Sequence, residues 1–433
     1  MNGLSRRALL RGAGGALALA AGTPIGVGAA LPGLPRAPMG ADPARLAQDE
    51  AYWAGVARHY ARTEGIVNLE HGYWGKMARP VQDAYVAATA MVNTQESFYA
   101  RKDYGRDHMD AVRRVAAALG AEEDEIVLTR NATESVHNLI RQYRGLEAGD
   151  AVLYADVDYP SFKEVMAWLG EARGVDAVAI DLPATTDQDE LLARYVAAFD
   201  AHPQLKLVLV THVSNQHGLV LPIRAIAAEA RRRGIDLICD SAQSWGLVDY
   251  RIADLGVDWA GFNLHKWIGA PVGVGALYMR RGSLAKIAPY PGEQDPDDTR
   301  AATRVHTATS NFAAVLTIPA ALDFHEALGG AAKEARLRHL RSLWTTPAAD
   351  MRHIEVLGGT DEASRTGMGA FRLRGRATLA DATALQRRLE TEFGIFTVVR
   401  KGLASGCCVR VTPQVFTPAT DVALLVGALE RLA

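Results

Sequence analysis

Two residues within Asp236–Gly275, a carboxylate and a lysine, have the types and surroundings that catalysis requires. Asp240 ends the short apolar run Leu237–Cys239, which is typical of a buried parallel strand, and ligands bind at the carboxyl ends of such strands. Lys266 follows among aromatic and aliphatic residues such as Trp267. An apolar pocket disfavours the ammonium form of a lysine, so its pKa falls and its amine becomes nucleophilic.

Each of these residues alone has an ordinary explanation, because an aspartate at a strand end commonly caps a turn and most lysines are solvated. Together they make a more specific pair. A carboxylate that can hold a pyridinium nitrogen and a lysine that can form a Schiff base are the two groups that pyridoxal 5′-phosphate requires. The sequence therefore predicts a site for this cofactor around Asp240 and Lys266.

The composition is that of a globular protein of more than one domain. The 433 residues are 49% hydrophobic and 22% charged, and the net charge of −2 gives no reason to expect nucleic-acid or membrane-surface binding. The three cysteines are an odd number and form no disulfide framework. No CxxC or Cys/His array suggests a metal site.

The first forty residues have the pattern of an export signal. Arg6 and Arg7 precede the weakly apolar stretch 12–22, which is typical of a bacterial twin-arginine (Tat) signal and is too short to span a membrane. A Pro/Gly-rich linker follows, so residues 1–42 are predicted to be signal peptide and linker. We expect export to the periplasm or beyond by the Tat machinery, and no membrane association once the signal is cleaved.

Alternating strand and helix patterns predict an α/β fold. The strong apolar run Leu205–Val210 and the repeated β-α units around it indicate a mostly parallel, doubly wound sheet in a large domain. Residues 43–319 are predicted to comprise an N-terminal segment and this domain. From Ala320 the pattern changes to one long helix, Ala320–Trp344, and then to shorter mixed elements. Residues 320–433 are therefore predicted to form a smaller α+β domain.

A second candidate for ligand binding is the strand, polar turn and helix start at Glu125–Ser135. Either Asn131 or Thr133 would cap the helix, and the backbone N–H groups at a helix N-terminus bind anions. The segment is either a phosphate-binding turn or an ordinary connection between a strand and a helix. The local sequence leaves both open.

Four motifs, in this order and spacing, resemble the class V aminotransferase family of fold-type I pyridoxal-phosphate enzymes. They are Thr129–Glu134, Ser214-Asn215, Asp240–Gln243 and His265-Lys266. The resemblance extends over most of the chain from about Asn68. Within the family, the chain is most similar to the isopenicillin N epimerase-like group.

The resemblance implies a role for each matching residue. Lys266 would hold the cofactor as a Schiff base and carry protons, and Asp240 would pair with the pyridine nitrogen. The other implied cofactor contacts are Ala132, Thr133, Asn263 and His265 near the phosphate, Tyr159 stacked on the ring, and Asn215 and Gln243 near the phenolic oxygen. Thr309 matches a phosphate donor from the partner subunit, which implies a homodimer. Arg410 matches the arginine that binds the carboxylate of an amino-acid-like substrate.

Three further residues are candidate substrate contacts, namely Asn68, His71 and His217. The two histidines follow loops that should face the site, where they could contact substrate or act as an acid or base. They could equally be loop histidines bonded to the backbone. Asn263 departs from the family, which often has Ser or Thr there, but an amide can still donate to a phosphate.

The leading hypothesis is a pyridoxal-phosphate enzyme with transaminase or epimerase-type chemistry on an amino acid or a peptide-like amine. The alternatives are a C–S lyase or desulfurase-like enzyme and an inactive binding protein on the same fold. Cys407 and Cys408 lie immediately before Arg410 and not on an upstream loop, which argues against a desulfurase. A nucleotide-dependent oxidoreductase that uses the glycine run Gly269–Gly275 is disfavoured, because a strand pattern follows the run where a helix would be needed.

Overall fold

The computed structural model describes residues 33–432, so residues 1–32 of the predicted signal peptide and linker (residues 1–42) lie outside the described part. The helices are α1 (Pro43–Leu46), α2 (Glu50–Ala57), α3 (Arg79–Lys102), α4 (Tyr104–Leu119), α5 (Ala132–Gln142), α6 (Pro160–Arg173), α7 (Gln188–Ala201), α8 (Ile223–Arg232), α9 (Ile252–Leu255), α10 (Phe312–Leu316), α11 (Ile318–Leu328), α12 (Gly330–Ala349), α13 (Leu379–Phe393) and α14 (Ala419–Glu430). Short 3₁₀ helices lie at Glu123–Glu125, Leu284–Lys286 and Ala301–Arg304.

The strands complete the chain. They are β1 (Val67–Asn68), β2 (Ile126–Thr129), β3 (Ala151–Ala155), β4 (Asp176–Ile180), β5 (Thr185–Thr186), β6 (Leu205–Thr211), β7 (Asp236–Asp240), β8 (Trp259–Asn263), β9 (Gly275–Met279), β10 (Ile354–Gly359), β11 (Gly369–Leu373), β12 (Ile395–Phe396), β13 (Val398–Arg400) and β14 (Cys408–Val411).

Seven strands form the central sheet in the order β2-β9-β8-β7-β6-β3-β4. The pairs from β8 through β7, β6 and β3 to β4 are parallel, whereas β9 is antiparallel to both of its neighbours. Alternate residues of β6 enter two separate cores: Val208 and Val210 face the cluster that includes α7 and α8, while Leu207 and Leu209 face the cluster that includes α5 and α6. The predicted α/β fold with a mostly parallel, doubly wound sheet is confirmed.

A second sheet has the strand order β13-β14-β11-β10-β5 and is mostly antiparallel. Helices α12, α13 and α14 contribute to its hydrophobic core, which includes Trp344 and Phe371. The N-terminal segment also joins this part of the molecule, because β1 pairs in parallel with β12 and the Arg336 guanidinium donates to the Ala47 carbonyl at 2.9 Å. The domain limits at 42/43 and 319/320 stay predictions.

The prediction of one long helix over Ala320–Trp344 is wrong. The chain breaks at Gly329, whose φ of +79° is accessible to glycine at little cost, and α10–α11 and α12 meet at 72°. Within residues 33–432 no single helix is long and apolar enough to cross a membrane. The bent pair Phe312–Leu328 and Gly330–Ala349 meets that test by length and composition alone.

Candidate active site

Asp240 lies at the carboxyl end of β7 and is only 5% exposed. Its Oδ1 accepts a hydrogen bond from the Ala242 N–H at 2.9 Å, and its Oδ2 accepts one from the Thr211 hydroxyl at 3.4 Å. Burial raises the pKa of this carboxyl to about 6, although these hydrogen bonds and the nearby Lys266 act in the opposite direction. Burial disfavours the ionised form of this carboxyl group, and a cation that binds next to it would favour the ionised form.

Lys266 lies in the loop after β8 and is partly buried. Burial lowers the pKa of its amine to about 8; Asp240 opposes this shift, whereas Arg410 and Arg400 add to it. The loop is held from outside by the Gly75 N–H, which donates to the His265 carbonyl at 2.7 Å. The lysine therefore has an appreciable neutral fraction near neutral pH, as a nucleophilic amine requires.

The start of α5 brings three predicted phosphate contacts together, namely Ala132, Thr133 and Asn263. Asn131 caps the helix, since its Oδ1 accepts from the Glu134 N–H at 2.8 Å. The Ala132 N–H donates to the Asn263 Oδ1 at 2.9 Å, and Thr133 lies partly buried on the same first turn. A Cβ at Gly275 would lie 2.7 Å from the Asn131 Cα, so this glycine allows the helix start to lie directly on β9.

Two more predicted cofactor contacts, His265 near the phosphate and Tyr159 on the ring, have partners within the chain. The His265 Nδ1 lies 2.9 Å from the Val274 carbonyl, and burial lowers the His265 pKa to about 4, so this ring is neutral at neutral pH. Tyr159 precedes α6 and is 40% exposed, with its ring against that of Phe162.

Gln243 links the two loops that carry Lys266 and Gly72. Its amide nitrogen donates to the Gly72 carbonyl at 2.9 Å, and its oxygen accepts from the Trp267 indole at 2.9 Å. The Gln243 side chain thus holds the loops in place, and its predicted contact with the phenolic oxygen stays a prediction.

Arg410 lies on β14 with its side chain fully buried. Its Nη2 donates to the Glu70 Oε1 at 2.6 Å, and its Nη1 donates to the Asn215 carbonyl at 2.6 Å. Arg400 on the neighbouring β13 places an Nη2 atom 3.9 Å from the same Glu70 oxygen. The predicted carboxylate-binding arginine is therefore already paired with a carboxylate of its own chain.

Two of the other predicted substrate contacts, Asn68 and His71, contact each other. Asn68 and His71 line a cavity of about 40 Å³ whose wall also includes Phe416. The His71 Nε2 lies 3.1 Å from the Asn68 carbonyl, its ring is edge-on to Phe416, and burial lowers its pKa to about 4. This is the loop histidine bonded to the backbone that the sequence left open, and the substrate roles of both residues stay predictions.

His217 and Thr309 differ in exposure, since His217 is buried and Thr309 is exposed. His217 is 1% exposed, and its burial lowers its pKa to about 3. The charge of Arg341 lowers this pKa further, by a smaller amount. Thr309 is exposed on the segment before α10, where Asn311 donates to the Tyr85 hydroxyl at 2.9 Å and the local contacts are with α3 and α4. Within residues 33–432, none of the contacts described above for the site involves Thr309 of the same chain.

Sequence reasoning missed Glu70, Arg400 and Asp158. Asp158 accepts hydrogen bonds from the Ala155 and Thr211 backbone N–H groups at 2.7 and 2.8 Å, and burial raises its pKa to about 8. Glu70 and Arg410 are 340 positions apart, so no local motif could have revealed their pairing. The sequence signal that could have identified Arg400 was its position on β13, the strand that precedes the strand of Arg410.

The fold agrees with the comparisons to known proteins. Residues 79–424 match the model of the aminotransferase class-V family, and the chain belongs to that family. It is 27% identical over 399 residues to an isopenicillin N epimerase from Amycolatopsis lactamdurans, covering 88% of this chain and 98% of that protein. It is 28% identical over 345 residues to a probable cysteine desulfurase from Vibrio cholerae, covering 74% and 81%.

Solved structures with the same fold include the cystine C–S lyase C-DES, with a TM-score of 0.73 at 21% identity over 84% of this chain and 97% of that one. The cysteine desulfurase CsdA from Escherichia coli has a TM-score of 0.72 at 20% identity, covering 88% and 98%. The fold is that of fold-type I pyridoxal-phosphate enzymes, and the cofactor of the family is pyridoxal 5′-phosphate.

The residues present fit this cofactor. Asp240 offers a buried carboxylate for the protonated pyridine nitrogen, and Lys266 offers an amine of lowered pKa for the aldehyde. On the first turn of α5, Thr133 offers its N–H and hydroxyl to the phosphate group, whereas the Ala132 and Glu134 N–H groups already donate to Asn263 and Asn131. The fit rests on Asp240 and Lys266. Burial raises the pKa of the first and lowers the pKa of the second, so that both approach 7.

Proposed function

We propose that the protein catalyses proton transfer at the amine-bearing carbon of an amino acid or a peptide-like primary amine, giving transamination or epimerisation. The observation that carries the proposal is the combination of the buried Asp240 and the partly buried Lys266 at the carboxyl edge of the central sheet. When bound, pyridoxal phosphate withdraws electrons from that carbon.

The chain's own residues supply the proton handling. Lys266 can take a proton from the substrate carbon and return it, because an amine with a pKa of about 8 is populated in both forms near neutral pH. Epimerisation would require a second acid to protonate the same carbon on its opposite face, whereas transamination would require Lys266 to move the proton from that carbon to the cofactor. Asp240, as an anion, stabilises positive charge on the ring nitrogen.

The test is incubation of the cofactor-loaded protein with each L-amino acid in D₂O. The proposal predicts loss of the Cα–H NMR signal for at least one amino acid, and no loss with the Lys266→Ala variant. Chiral chromatography then separates epimerisation from keto-acid formation. Retention of every Cα–H signal, with peptide-like amines tested in the same way, would sink the proposal.

C–S bond cleavage is the second candidate, favoured by the resemblance to desulfurases and to a C–S lyase. Burial raises the pKa values of Cys239 and Cys408 to about 12, so neither is a ready thiolate nucleophile. An eliminating lyase needs no such thiol. Release of pyruvate and ammonium together with sulfide from L-cysteine, or together with cysteine persulfide from L-cystine, would establish this reaction over the first.

We also propose that the enzyme works outside the cytoplasm. The support is the Arg6-Arg7 signal pattern in the residues before the described part. Replacement of both arginines by lysine is expected to leave the protein in the cytoplasmic fraction. Unchanged periplasmic recovery of that double variant would contradict Tat export.

A homodimer completes the proposal. Thr309 is exposed, and the neighbouring α3 leaves Val86 and Phe98 61% and 65% exposed, as a subunit interface would require. If Thr309 serves the partner's site, a mixture of Lys266→Ala and Thr309→Ala chains should regain activity through mixed dimers. Sedimentation of the wild-type protein as a monomer, or no regain, would rule this arrangement out.

A further inference from the structure

The residues on either side of Lys266 have their backbone carbonyls held by donors from distant parts of the chain. The His265 carbonyl accepts a hydrogen bond from the Gly75 N–H at 2.7 Å. The Trp267 carbonyl accepts one from the Lys333 Nζ, and in the described part of the chain it has no other donor. The backbone at Lys266 is therefore held by one contact on each side.

The Trp267 carbonyl lies in a tightly packed segment. The Trp267 side chain is 1% exposed, and its indole N–H donates to the Gln243 Oε1 at 2.9 Å. A Cβ at Gly246 would lie 2.9 Å from the Trp267 carbonyl carbon, so the two backbones are in contact. Without Lys333, this buried carbonyl would lack a partner, which costs free energy unless the backbone turns toward another donor. Such a turn would move the adjacent Lys266.

Lys333 reaches this carbonyl because of the bend at Gly329. His325 lies in the last turn of α11, and Lys333 lies in the first turn of α12, where its N–H donates to the Gly329 carbonyl at 3.0 Å. The bend brings the Lys333 Nζ to 3.4 Å from the His325 Nδ1. Burial, and to a smaller extent the charge of Lys333, lowers the pKa of His325 well below its usual value, so the ring is neutral. A neutral imidazole nitrogen can accept from the Lys333 amine, which directs the amine between two acceptors.

Lys333 is a buried lysine without a carboxylate partner in the described part of the chain. Its side chain belongs to a residue that is 4% exposed, and burial lowers its pKa to about 7 with no carboxylate acting in the opposite direction. Burying an ammonium group next to neutral acceptors alone costs stability. Methionine has a similar length and would fill the same space without this cost. What the lysine adds over an apolar side chain is its contact with the Lys266 loop.

We propose that Lys333 is a positioning residue, which holds the Trp267 carbonyl and thereby directs the Lys266 amine toward the cofactor. The inference rests on the proposed function, in which Lys266 is the reactive amine, and extends it to a second lysine on another element. Lys333 acts through the loop backbone and not by touching the cofactor or the substrate. Its effect should therefore appear in how fast Lys266 reacts, and not in how tightly the rest of the site holds the cofactor.

Two forms of the cofactor separate these effects in the cofactor-free protein. The Lys266 amine captures pyridoxal phosphate by attacking the aldehyde carbon, and water leaves. Pyridoxamine phosphate has no aldehyde and binds without that bond. In Lys333→Met, the capture rate well above the midpoint of about pH 8, where Lys266 is neutral, should fall about 10- to 100-fold, the effect of a misplacement of about 1 Å. The dissociation constant of pyridoxamine phosphate should change less than about twofold, because no contact of that molecule is removed.

Arg341→Met is the matched control. Arg341 is another buried cation on α12, 7% exposed, and its Nε donates to the Met368 carbonyl at 3.0 Å, outside the Lys266 loop. Its substitution should leave the capture rate unchanged. The melting temperature of each cofactor-free variant verifies that the fold is retained.

Lys333→Gln is the conservative variant. It keeps an N–H donor on a shorter side chain, so it should lose less of the capture rate than Lys333→Met. It carries the test if Lys333→Met does not fold, with the same expected result: slower capture of pyridoxal phosphate and unchanged affinity for pyridoxamine phosphate.

Capture at the wild-type rate by Lys333→Met would overturn the inference. Equal losses of capture rate and of pyridoxamine phosphate affinity would do the same, because they indicate a general structural role. A shifted midpoint with an unchanged maximal rate would show that Lys333 acts by its charge and not by position. A visible band that never forms in Lys333→Met would assign the cofactor to Lys333 itself. Failure of the proposed function is distinguishable, because capture requires no amino-acid substrate and the loss of Cα–H signals is measured separately.

Discussion

At the Glu70–Arg410 pair, removal of one charge leaves the other buried and uncompensated. We expect Glu70→Gln to lower the free energy of unfolding of the cofactor-free protein by about 3–5 kcal/mol, the usual loss when one partner of a buried ion pair is removed. Urea denaturation measures it. Glu392→Gln is the matched control, because Glu392 and Arg388 are about half exposed and such pairs contribute about 0–1 kcal/mol. Equal effects of both substitutions would contradict the structure.

The same pair predicts a pH dependence. Burial raises the pKa of Glu70, but the charge and hydrogen bond of Arg410 outweigh it, and the net pKa is lowered. The stabilisation is therefore present above the ordinary glutamate pKa of about 4.3 and is lost as pH falls through the lower folded value. The stability difference between the wild type and Glu70→Gln should shrink below about pH 4. A difference that stays constant into stronger acid would refute this.

Lys266 predicts how fast the cofactor-free protein captures pyridoxal phosphate. Only the neutral amine attacks the aldehyde, so the capture rate should rise with pH and level off above a midpoint of about 8. Since Asp240 raises the Lys266 pKa, Asp240→Asn should move the midpoint lower. Stopped-flow absorbance gives the rates. A rate that climbs to pH 10, as for an ordinary solvated lysine, would contradict the burial of this amine.

Among single residues, those marked by a local sequence pattern could be predicted. Residues whose importance comes from contacts with distant parts of the chain could not. Asp240 ends an apolar strand and Lys266 lies in an aromatic run, so both were visible. Glu70 and Arg400 were not, because their significance comes only from their approach to Arg410 across three segments of the chain. The partners of Gln243 were hidden for the same reason.

Among the elements, the loop from Glu70 to Gly75 depends on a close approach to the Lys266 loop. A Cβ at Gly75 would lie 1.8 Å from the Lys266 carbonyl oxygen, a backbone atom that cannot move aside easily. We expect Gly75→Ala to destabilise the protein by at least about 1–3 kcal/mol, as overpacking does, and to weaken cofactor binding. Thermal denaturation and cofactor titration measure both.

Gly427→Ala is the control for that prediction. Gly427 lies in α14 with nothing within 4 Å of its added Cβ, so alanine should stabilise the helix by about 0.5–1 kcal/mol. Cofactor binding should not change. A Gly75→Ala protein as stable as the wild type would show that the two loops do not pack as described.

Elements with a strong repeating pattern were predictable, and short ones were not. The apolar run of β6 and the helices around it identified the central sheet from sequence. The two-residue strands β1, β5 and β12 are too short for any period, and their pairing is decided by tertiary contacts. The break at Gly329 was missed because apolar residues continue on both sides of it.

In the whole molecule, three distant parts of the chain meet at the candidate site. The N-terminal segment supplies Glu70, the central sheet supplies Asp240 and Lys266, and the C-terminal sheet supplies Arg400 and Arg410. The pairing of β1 with β12 ties the first of these parts to the last. Relative motion of these parts would therefore change the positions of the two arginines relative to the reactive lysine.

The central claim is that Lys266 is the lysine that holds the cofactor. Lys333 is the alternative lysine for this role, since it is buried and its pKa is lowered to about 7. Its Nζ, however, donates to the Trp267 carbonyl. The most direct measurement is borohydride reduction of the cofactor-loaded protein, followed by peptide mass mapping. The account predicts a visible band that disappears on reduction and an adduct on Lys266. No band after incubation with pyridoxal phosphate, or an adduct on Lys333 instead, would contradict it.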